Sequence, residues 1–306
     1  MATDGERNRK LRAERSAQLR RLPRLQKETL ARIAALLAEA QTRIAARLAA
    51  APSEFDAFIL PQLQEQVRQA MAALEAGGAA ALTEGASLAW RAGIDLVDAP
   101  IEAGLQLDRP ALRISALVPS IDTAQLRASQ AFLTGKIRDI SATAAARIDT
   151  ELGLAVIGQQ TPQQAATTIA RLLGDTARAR ASTLVRTEIG RVYSVATQER
   201  MAQAQAVLPG LKKQWRRSGR IRSRLNHDAA DSQVRDVDQP FDVGAGVKLR
   251  YPRDPQGPAR ETINCGCVQL PFMESWEMSQ PGRQAFSERE IRLDPRKRDL
   301  ADALGQ

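Results

Sequence analysis

From residue 22 to about residue 206 the apolar side chains of this sequence recur at steps of three and four, separated by alanine, arginine, glutamate and glutamine. That spacing lines them along one stripe of a helix, so the first two-thirds of the chain should fold as packed helices. Only 4% of the residues are aromatic, and much of the 43% hydrophobic content is alanine. The stripes are therefore narrow, and a large aromatic core is excluded. One runs from Leu22 through Leu25, Leu30, Ile33, Leu36, Leu37 and Ile44 to Leu48, with the first twenty residues mostly charged and expected to be frayed or ordered by a partner, and a break at Ala51-Pro52-Ser53. A second covers Leu60, Leu63, Val67, Ala70, Met71 and Leu74, and is expected to stop at Gly77-Gly78.

A further helix is predicted over Leu82 to Val97, with Trp90, Ile94 and Val97 inward, followed by an irregular, proline-bearing stretch from Ala99 to Pro119. Ser120 is placed to cap the next helix, whose stripe is Leu126, Leu133, Ile137, Ile140, Ala144, Ile148 and Leu152. Thr161-Pro162-Gln163-Gln164 is a helix start: the threonine accepts from an early amide, proline suits the first turn, and Gln164 reaches back to the cap. That helix is expected to end near Gly174-Asp175. A longer one then runs to about Ala206, burying Leu184, Val185, Ile189, Val192 and Ala196, and stops at Pro209-Gly210.

After Gly210 the texture changes to strand-forming residues, glycines and prolines. Gln214 to Arg217 reads as a short strand, Val247 to Tyr251 as a half-buried one, Pro252 to Pro258 as a loop, and Ile263 to Leu270 as a further strand. The fold class is therefore α+β: a helical N-terminal half, then a helix with a small antiparallel sheet. The corresponding domains are residues 1–155, 160–275 and a charged tail, 276–306, extended or weakly helical. The N-terminus lacks the apolar segment of a secretory signal, and no stretch of about 18 apolar residues exists to span a membrane. The expectation is synthesis in a reducing cytoplasm, with no membrane association.

The formal net charge is +9, which calls for a polyanionic neighbour. Between Lys212 and Arg224 stand Lys212, Lys213, Arg216, Arg217, Arg220, Arg222 and Arg224, with no acidic residue among them. Such a run suits phosphate contact, docking of an acidic protein, or a plain solvated face. Nothing in the sequence reads bases, and a stacking platform for single strands lacks its aromatics.

His227 is the only histidine, and Cys265 and Cys267 are the only cysteines. Two residues apart in a strand, the thiols would point to one face, poorly placed to bond each other. With His227 they offer zinc two thiolates and an imidazole, Asp228, Asp231 or water completing four ligands. The other reading is two small buried thiols beside a histidine bonded to backbone. No cofactor other than such a structural zinc is indicated. Enzyme signatures are missing: no zinc-deaminase pattern and no phosphate loop. A metal nuclease using His227 and nearby aspartates is the remaining catalytic alternative.

The order of these elements has a counterpart. Arg186-Thr187-Glu188 on a helix comes first, then Lys213-Gln214-Trp215 and the basic turn to His227. Phe241 to Gly244 follows, then Tyr251-Pro252-Arg253-Asp254-Pro255, Glu261, and Asn264-Cys265-Gly266-Cys267. The series, over about Thr161 to Pro271, resembles the Mu-F-like phage head morphogenesis domain. Three positions depart from that pattern. Ser218-Gly219-Arg220 stands where an acidic residue is frequent, Ser232 where glycine is common, and Gly266 where arginine usually separates the cysteines. The resemblance implies family-motif roles for Arg186, Glu188, Trp215, His227, Asp254, Asn264, Cys265 and Cys267. It implies a minor head protein inside the virion, associated with the portal, assisting head assembly and the packaging or exit of DNA. Portal, scaffold or capsid protein would be its partners through the helical N-terminal half, and no catalytic residue is implied.

Overall fold

A computed structural model describes residues 4–49, 59–105, 118, 121–273 and 282–305. Helices α1 (Asp4–Ala49), α2 (Leu60–Leu105) and α3 (Ala124–Val156) come first. A long helical segment follows: α4 (Pro162–Arg171), a π-helical stretch (Leu172–Ala177), α5 (Arg178–Leu184), a second π stretch (Val185–Ile189) and α6 (Gly190–Gln205). Strand β1 (Lys212–Arg216), α7 (Leu225–Ala229), β2 (Val234–Asp236), β3 (Phe241–Asp242), β4 (Lys248–Leu249), α8 (Ala259–Thr262) and β5 (Val268–Phe272) make up the mixed region. Helices α9 (Glu288–Leu293) and α10 (Arg296–Ala303) close the chain. The class is α+β.

The chain forms two compact units, each assembled from separated stretches. One comprises Leu25–Ala86 and Leu126–Glu188; the other comprises Met1–Arg24, Ser87–Gln125 and Ile189–Gln306. This division runs across the linear one drawn from the sequence, because α1 and α2 each supply residues to both units.

The first unit is all helical, and its core is the set of stripes visible in the sequence. Ile33, Leu37 and Ile44 from α1, Leu63, Val67, Met71 and Leu74 from α2, and Leu133, Ile137, Ile148 and Leu152 from α3 are buried. Thr161 caps α4 with both hydrogen bonds of a capping box, as its sequence requires. Gly77 and Gly78 do not end a helix; they lie inside α2. A Cβ on Gly77 would meet Leu36 at 2.9 Å, and one on Gly78 would meet Ile137 at 2.7 Å, so these glycines serve close side-chain packing rather than chain reversal. Gly174 and Asp175 likewise do not stop the helix that begins at Pro162. The helix widens there into a π turn and continues, the hydrogen bonds shifting by one residue instead of ending. The charged first twenty residues are helical from Asp4, with Leu11 buried. The expected break at Ala51-Pro52-Ser53 and the Ser120 cap lie outside the described residues, as does most of the Ala99–Pro119 stretch. Up to Leu105 that stretch is still α2.

In the second unit, Gly93 lets α2 approach α6: a Cβ there would lie 2.5 Å from the carbonyl oxygen of Tyr193, and Thr197 Oγ1 donates to Gly93 O at 3.1 Å. Nearby, Arg200 grips Asp98 through both ends of its guanidinium, at 2.6 and 2.7 Å. β1 is the centre of a three-stranded antiparallel sheet, order β2-β1-β5, with Trp215 opposite Gln269. β3 and β4 form a separate hairpin, Phe241 opposite Leu249. Two expected strands are shorter or displaced. Only Lys248–Leu249 of the Val247–Tyr251 stretch pairs. In place of a strand over Ile263–Leu270, the helix α8 ends at Thr262 and the strand begins only at Val268. Asn264 explains the shift: its φ of 57° is left-handed, a conformation asparagine tolerates and a strand forbids. The charged tail is also more ordered than expected, since α9 and α10 pack into this unit with Glu290 and Lys297 buried.

Candidate functional site

The site is built around Trp215, the fourth residue of strand β1, which is buried from Lys213 onward. Its indole Nε1–H donates to His227 O at 3.2 Å, and its ring meets the His227 and Phe241 rings edge-on at 5.3 Å each. These contacts fix α7 and the hairpin in one apolar cluster with Ala230, Val243, Leu249, Cys265 and Cys267. His227, with 1% of its surface exposed, is held between two kinds of partner: Nε2 lies 2.9 Å from Glu261 Oε2, and Nδ1 lies 3.5 Å from Cys265 Sγ and 3.7 Å from Cys267 Sγ. One candidate ligand atom from each of His227, Cys265 and Cys267 falls within 4.8 Å of the others. The strand alternation used to align the two thiols does not exist here. The left-handed turn at Asn264 and the irregular backbone through Cys267 bring them to the same imidazole.

The two cysteines are free thiols. Cys265 is held well below the ordinary thiol range, first by a hydrogen bond from Cys267 and then, against burial, by His227 and the Arg253 charge. The same bond, with burial, pushes Cys267 well above that range.

Arg253, outside the set singled out from the sequence, is 1% exposed and has a left-handed φ of 68°. Its Nε donates to Cys265 O at 2.8 Å; its Nη1 donates to Gly190 O at 3.0 Å and Ser194 Oγ at 2.8 Å. Gly190 is required at that crossing, because a Cβ there would stand 2.5 Å from Arg253 Nε. The guanidinium thereby ties the start of α6 to the cysteine loop.

Beside the thiols lies a buried charge network. The Arg217 and Lys297 side chains are fully enclosed. Arg217 Nη1 donates to Glu290 Oε1 at 2.7 Å, and its ring-facing plane rests 4.2 Å from the Phe286 centroid. Lys297 Nζ donates to Glu290 Oε1 at 2.9 Å and to Arg220 O at 2.6 Å. Asp228, the neighbour of His227, accepts from Ser223 Oγ at 2.6 Å and has Lys297 Nζ at 3.5 Å. Its other oxygen accepts no hydrogen bond but has Arg217 Nη1 at 3.8 Å. Burial opposes ionisation of Glu290, yet bonds from Arg217, Lys297 and the Ser287 amide bring its pKa down to about 2. Burial dominates for Asp228, whose pKa is raised.

The basic run divides accordingly. Lys213, Arg216 and Arg217 are buried, so they are not available as a contact surface. Lys213 Nζ donates to Arg250 O at 2.6 Å, and desolvation lowers its pKa to about 8. Arg216 pairs with Asp231 at 3.3 Å. Lys212 and Arg224 are half-buried, and Arg220 and Arg222 are exposed. Arg224 and Arg220 also donate to the carbonyls of Ile263 and Asn264, at 2.7 and 2.9 Å. Asp254 staples its loop by accepting from the Arg250 side chain and amide. Arg186 and Glu188 sit on the second π stretch, in the helical unit.

Two of the departures noted in the sequence meet in space. A Cβ on Gly266 would lie 2.8 Å from both Arg220 Nε and Ser218 Cβ. Glycine at 266 thus leaves room for the Arg220 side chain from the turn. Ser232, standing where glycine is common, has a left-handed φ of 68°. Its amide donates to Trp215 O at 2.9 Å as the chain enters β2.

A pocket of about 420 Å³ opens above these groups, lined by His227, Cys267, Asn264 and Asp294 and by Arg220, Arg222, Arg224 and Arg296. A pocket of about 510 Å³ in the helical unit is lined by Ile44, Leu63, Val67 and Leu152 with Arg43 and Arg47, and gathers no comparable set of reactive groups. Nothing in the sequence joins Glu261, Asp228, Glu290 and Lys297; only Glu261, ahead of Asn264, stands in the motif series.

Comparison with known proteins adds the following. The family model described as Phage Mu protein F like protein matches residues 146–270. An uncharacterized protein, YqbB of Bacillus subtilis (strain 168), is 40% identical over 101 residues, covering 32% of this chain and 32% of that protein. NAD(+)–arginine ADP-ribosyltransferase EFV of Enterococcus faecalis (strain ATCC 700802 / V583) is 32% identical over 91 residues, covering 30% of this chain and 18% of that protein. The alignments thus span about a third and under a fifth of these relatives, and no solved structure matches. The matched region runs from the end of α3 to the middle of β5 and contains the Trp215, His227 and cysteine core. Over residues 146–270 the chain is therefore similar to the Phage Mu protein F like family, a likeness of the phage head morphogenesis type.

Proposed function

We propose that the protein is a minor head morphogenesis component of a tailed phage or prophage. In this reading it resides inside the head with the portal and assists head assembly and the packaging or exit of DNA. The observation that carries it is the family match across residues 146–270, which contains the Trp215–His227–cysteine core that the ordered motifs build. The long helices preceding the match would serve portal, scaffold or capsid protein. The exposed Arg222 and the rest of the arginine-rim pocket would face DNA or an acidic partner. Among the described residues no helix is long and apolar enough to cross a membrane.

The reading has no catalytic step. A nuclease base would need an imidazole nitrogen free to take a proton from water. Here Nε2 faces Glu261 and Nδ1 faces two sulfurs, which argues against that role. The test is to induce the phage or prophage carrying a tagged chain and fractionate procapsids. The tagged chain should sediment with procapsids and be captured with portal; a chain wholly free in the lysate would overturn the proposal. Incubation with duplex and single-stranded DNA plus divalent metal should give no cleavage.

A further inference from the structure

The imidazole of His227 has an arrangement that hydrogen bonding alone explains poorly. Glu261 Oε2 at 2.9 Å from Nε2 takes the N–H of a neutral ring, which puts the lone pair of that tautomer on Nδ1. That single lone pair faces two sulfurs, at 3.5 and 3.7 Å. One lone pair accepts one proton, so one thiol can use the ring and the other can turn only to its neighbouring sulfur, yet both sulfurs stand at nearly the same distance from Nδ1. An ion at the common focus satisfies all three atoms at once. With bonds of about 2.3 Å to sulfur and about 2.05 Å to nitrogen at tetrahedral angles, ligand nitrogen and ligand sulfur stand about 3.6 Å apart. The two observed distances lie on either side of that value.

We propose that His227 Nδ1, Cys265 Sγ and Cys267 Sγ bind one zinc ion, with the fourth position filled from the arginine-rimmed pocket by water or an anionic oxygen. Each thiol ligates as thiolate, its proton passing to solvent, so two sulfurs neutralise the dication. Soft sulfur donors select zinc over magnesium or calcium. The groups around the ligands are those a metal site needs. Glu261 orients the ring, Arg253 holds the Cys265 carbonyl at 2.8 Å, and Trp215 holds the His227 carbonyl at 3.2 Å. The pocket of about 420 Å³ reaches His227 and Cys267 and supplies the entry path. This inference goes beyond the head-assembly reading and does not depend on it, since the ligands would hold zinc whatever the protein's place in a virion.

The test uses the full chain purified under reducing conditions. Elemental analysis should find one zinc per chain. Replacement by cobalt should give the visible bands of a tetrahedral ion and thiolate-to-cobalt charge transfer in the near ultraviolet, bleached by one equivalent of zinc. Cys265→Ser and Cys267→Ser should each lose the charge-transfer intensity of one sulfur. Glu261→Gln, which spares the ligands, should keep one ion per chain but bind it about 10–100-fold more weakly. A folded, reduced chain with two titratable thiols that takes up neither zinc nor cobalt would overturn the proposal. So would cobalt spectra without thiolate bands, or a Cys265–Cys267 disulfide in the unreduced protein.

Discussion

The helical unit and the region around Trp215 are held together by different physics. In the helical unit, aliphatic stripes from α1, α2 and α3 interlock, and ion pairs such as Arg32–Glu84, Arg43–Glu39 and Arg68–Glu65 lie at the surface, each partner more than half exposed. Around Trp215 the pairs of Arg217 and Lys297 with Glu290 are enclosed, the two cations at 0% and the carboxylate at 6% exposure. Backbone geometry differs too. Among the described residues, the non-glycine residues with positive φ, Ser232, Ala245, Arg253 and Asn264, all fall in the second region. A stripe tolerates many sequences of similar volume; an enclosed charge tolerates none that leaves its partner unpaired. The small sheet therefore depends on individual residues, and the helices depend on a pattern.

The largest test of that contrast removes a single enclosed charge. Lys297→Met should leave Glu290 and Asp228 short of a partner and destabilise by roughly 3–5 kcal/mol. Arg68→Ala, on the helical surface, should cost under about 0.5 kcal/mol. Urea unfolding followed by tryptophan fluorescence and by circular dichroism measures both, and equal costs would erase the distinction.

Next in size is packing at the helix glycines. Gly78→Ala forces a methyl to within 2.7 Å of Ile137 Cγ1. It should destabilise by about 1–3 kcal/mol despite alanine's better helix propensity. At Gly135, where nothing lies within 4 Å, the same change should stabilise by about 0.5–1 kcal/mol. Opposite signs in one melting series would sharpen the view that Gly78 is a packing residue.

The charge network also predicts an acid limb. Glu290 has a folded pKa of about 2 against an ordinary 4.5. Its contribution is present in full above pH about 4.5 and is lost as pH falls toward 2. Raised Asp228 works the other way, its burial cost relieved by protonation. Limited proteolysis of the α9–α10 segment should accelerate through that window in the wild type and not in Glu290→Gln. Proteolysis independent of pH there would break the assignment.

The smallest effect expected is a gain. Ser232→Gly relaxes a left-handed serine whose side chain is half-buried, and should stabilise by about 0.5–1 kcal/mol after glycine's entropy is counted. A loss on thermal melting would mean that the serine hydroxyl matters more than its backbone.

Legibility in the sequence follows the same line. The stripes from Ile33 to Leu152 and the Thr161 capping box could be read because helix periodicity and caps are local, repeating within four residues. The helix ends at Gly77-Gly78 and Gly174-Asp175 were misread because glycine has two uses, chain reversal and close approach, and only the neighbour across the contact distinguishes them. The strand over Ile263–Leu270 was misread because one left-handed residue, Asn264, overrides the propensity of those around it. The basic run was legible as charge but not as burial: Lys213, Arg216 and Arg217 point inward, where Arg250 O, Asp231 and Glu290 receive them.

The sequence by itself determined the helical class of the first two-thirds, the change of texture at Gly210, and the order of motifs that marks the family, since each rests on residues near one another in the chain. Tertiary structure alone decided what those motifs do. It set Glu261 behind His227 and both sulfurs in front of it, and it brought Lys297 from the tail to Asp228. It also laid Arg220 over Gly266. Such pairings join residues 34 to 69 positions apart, and no local rule of periodicity, capping or turn chemistry reaches that far.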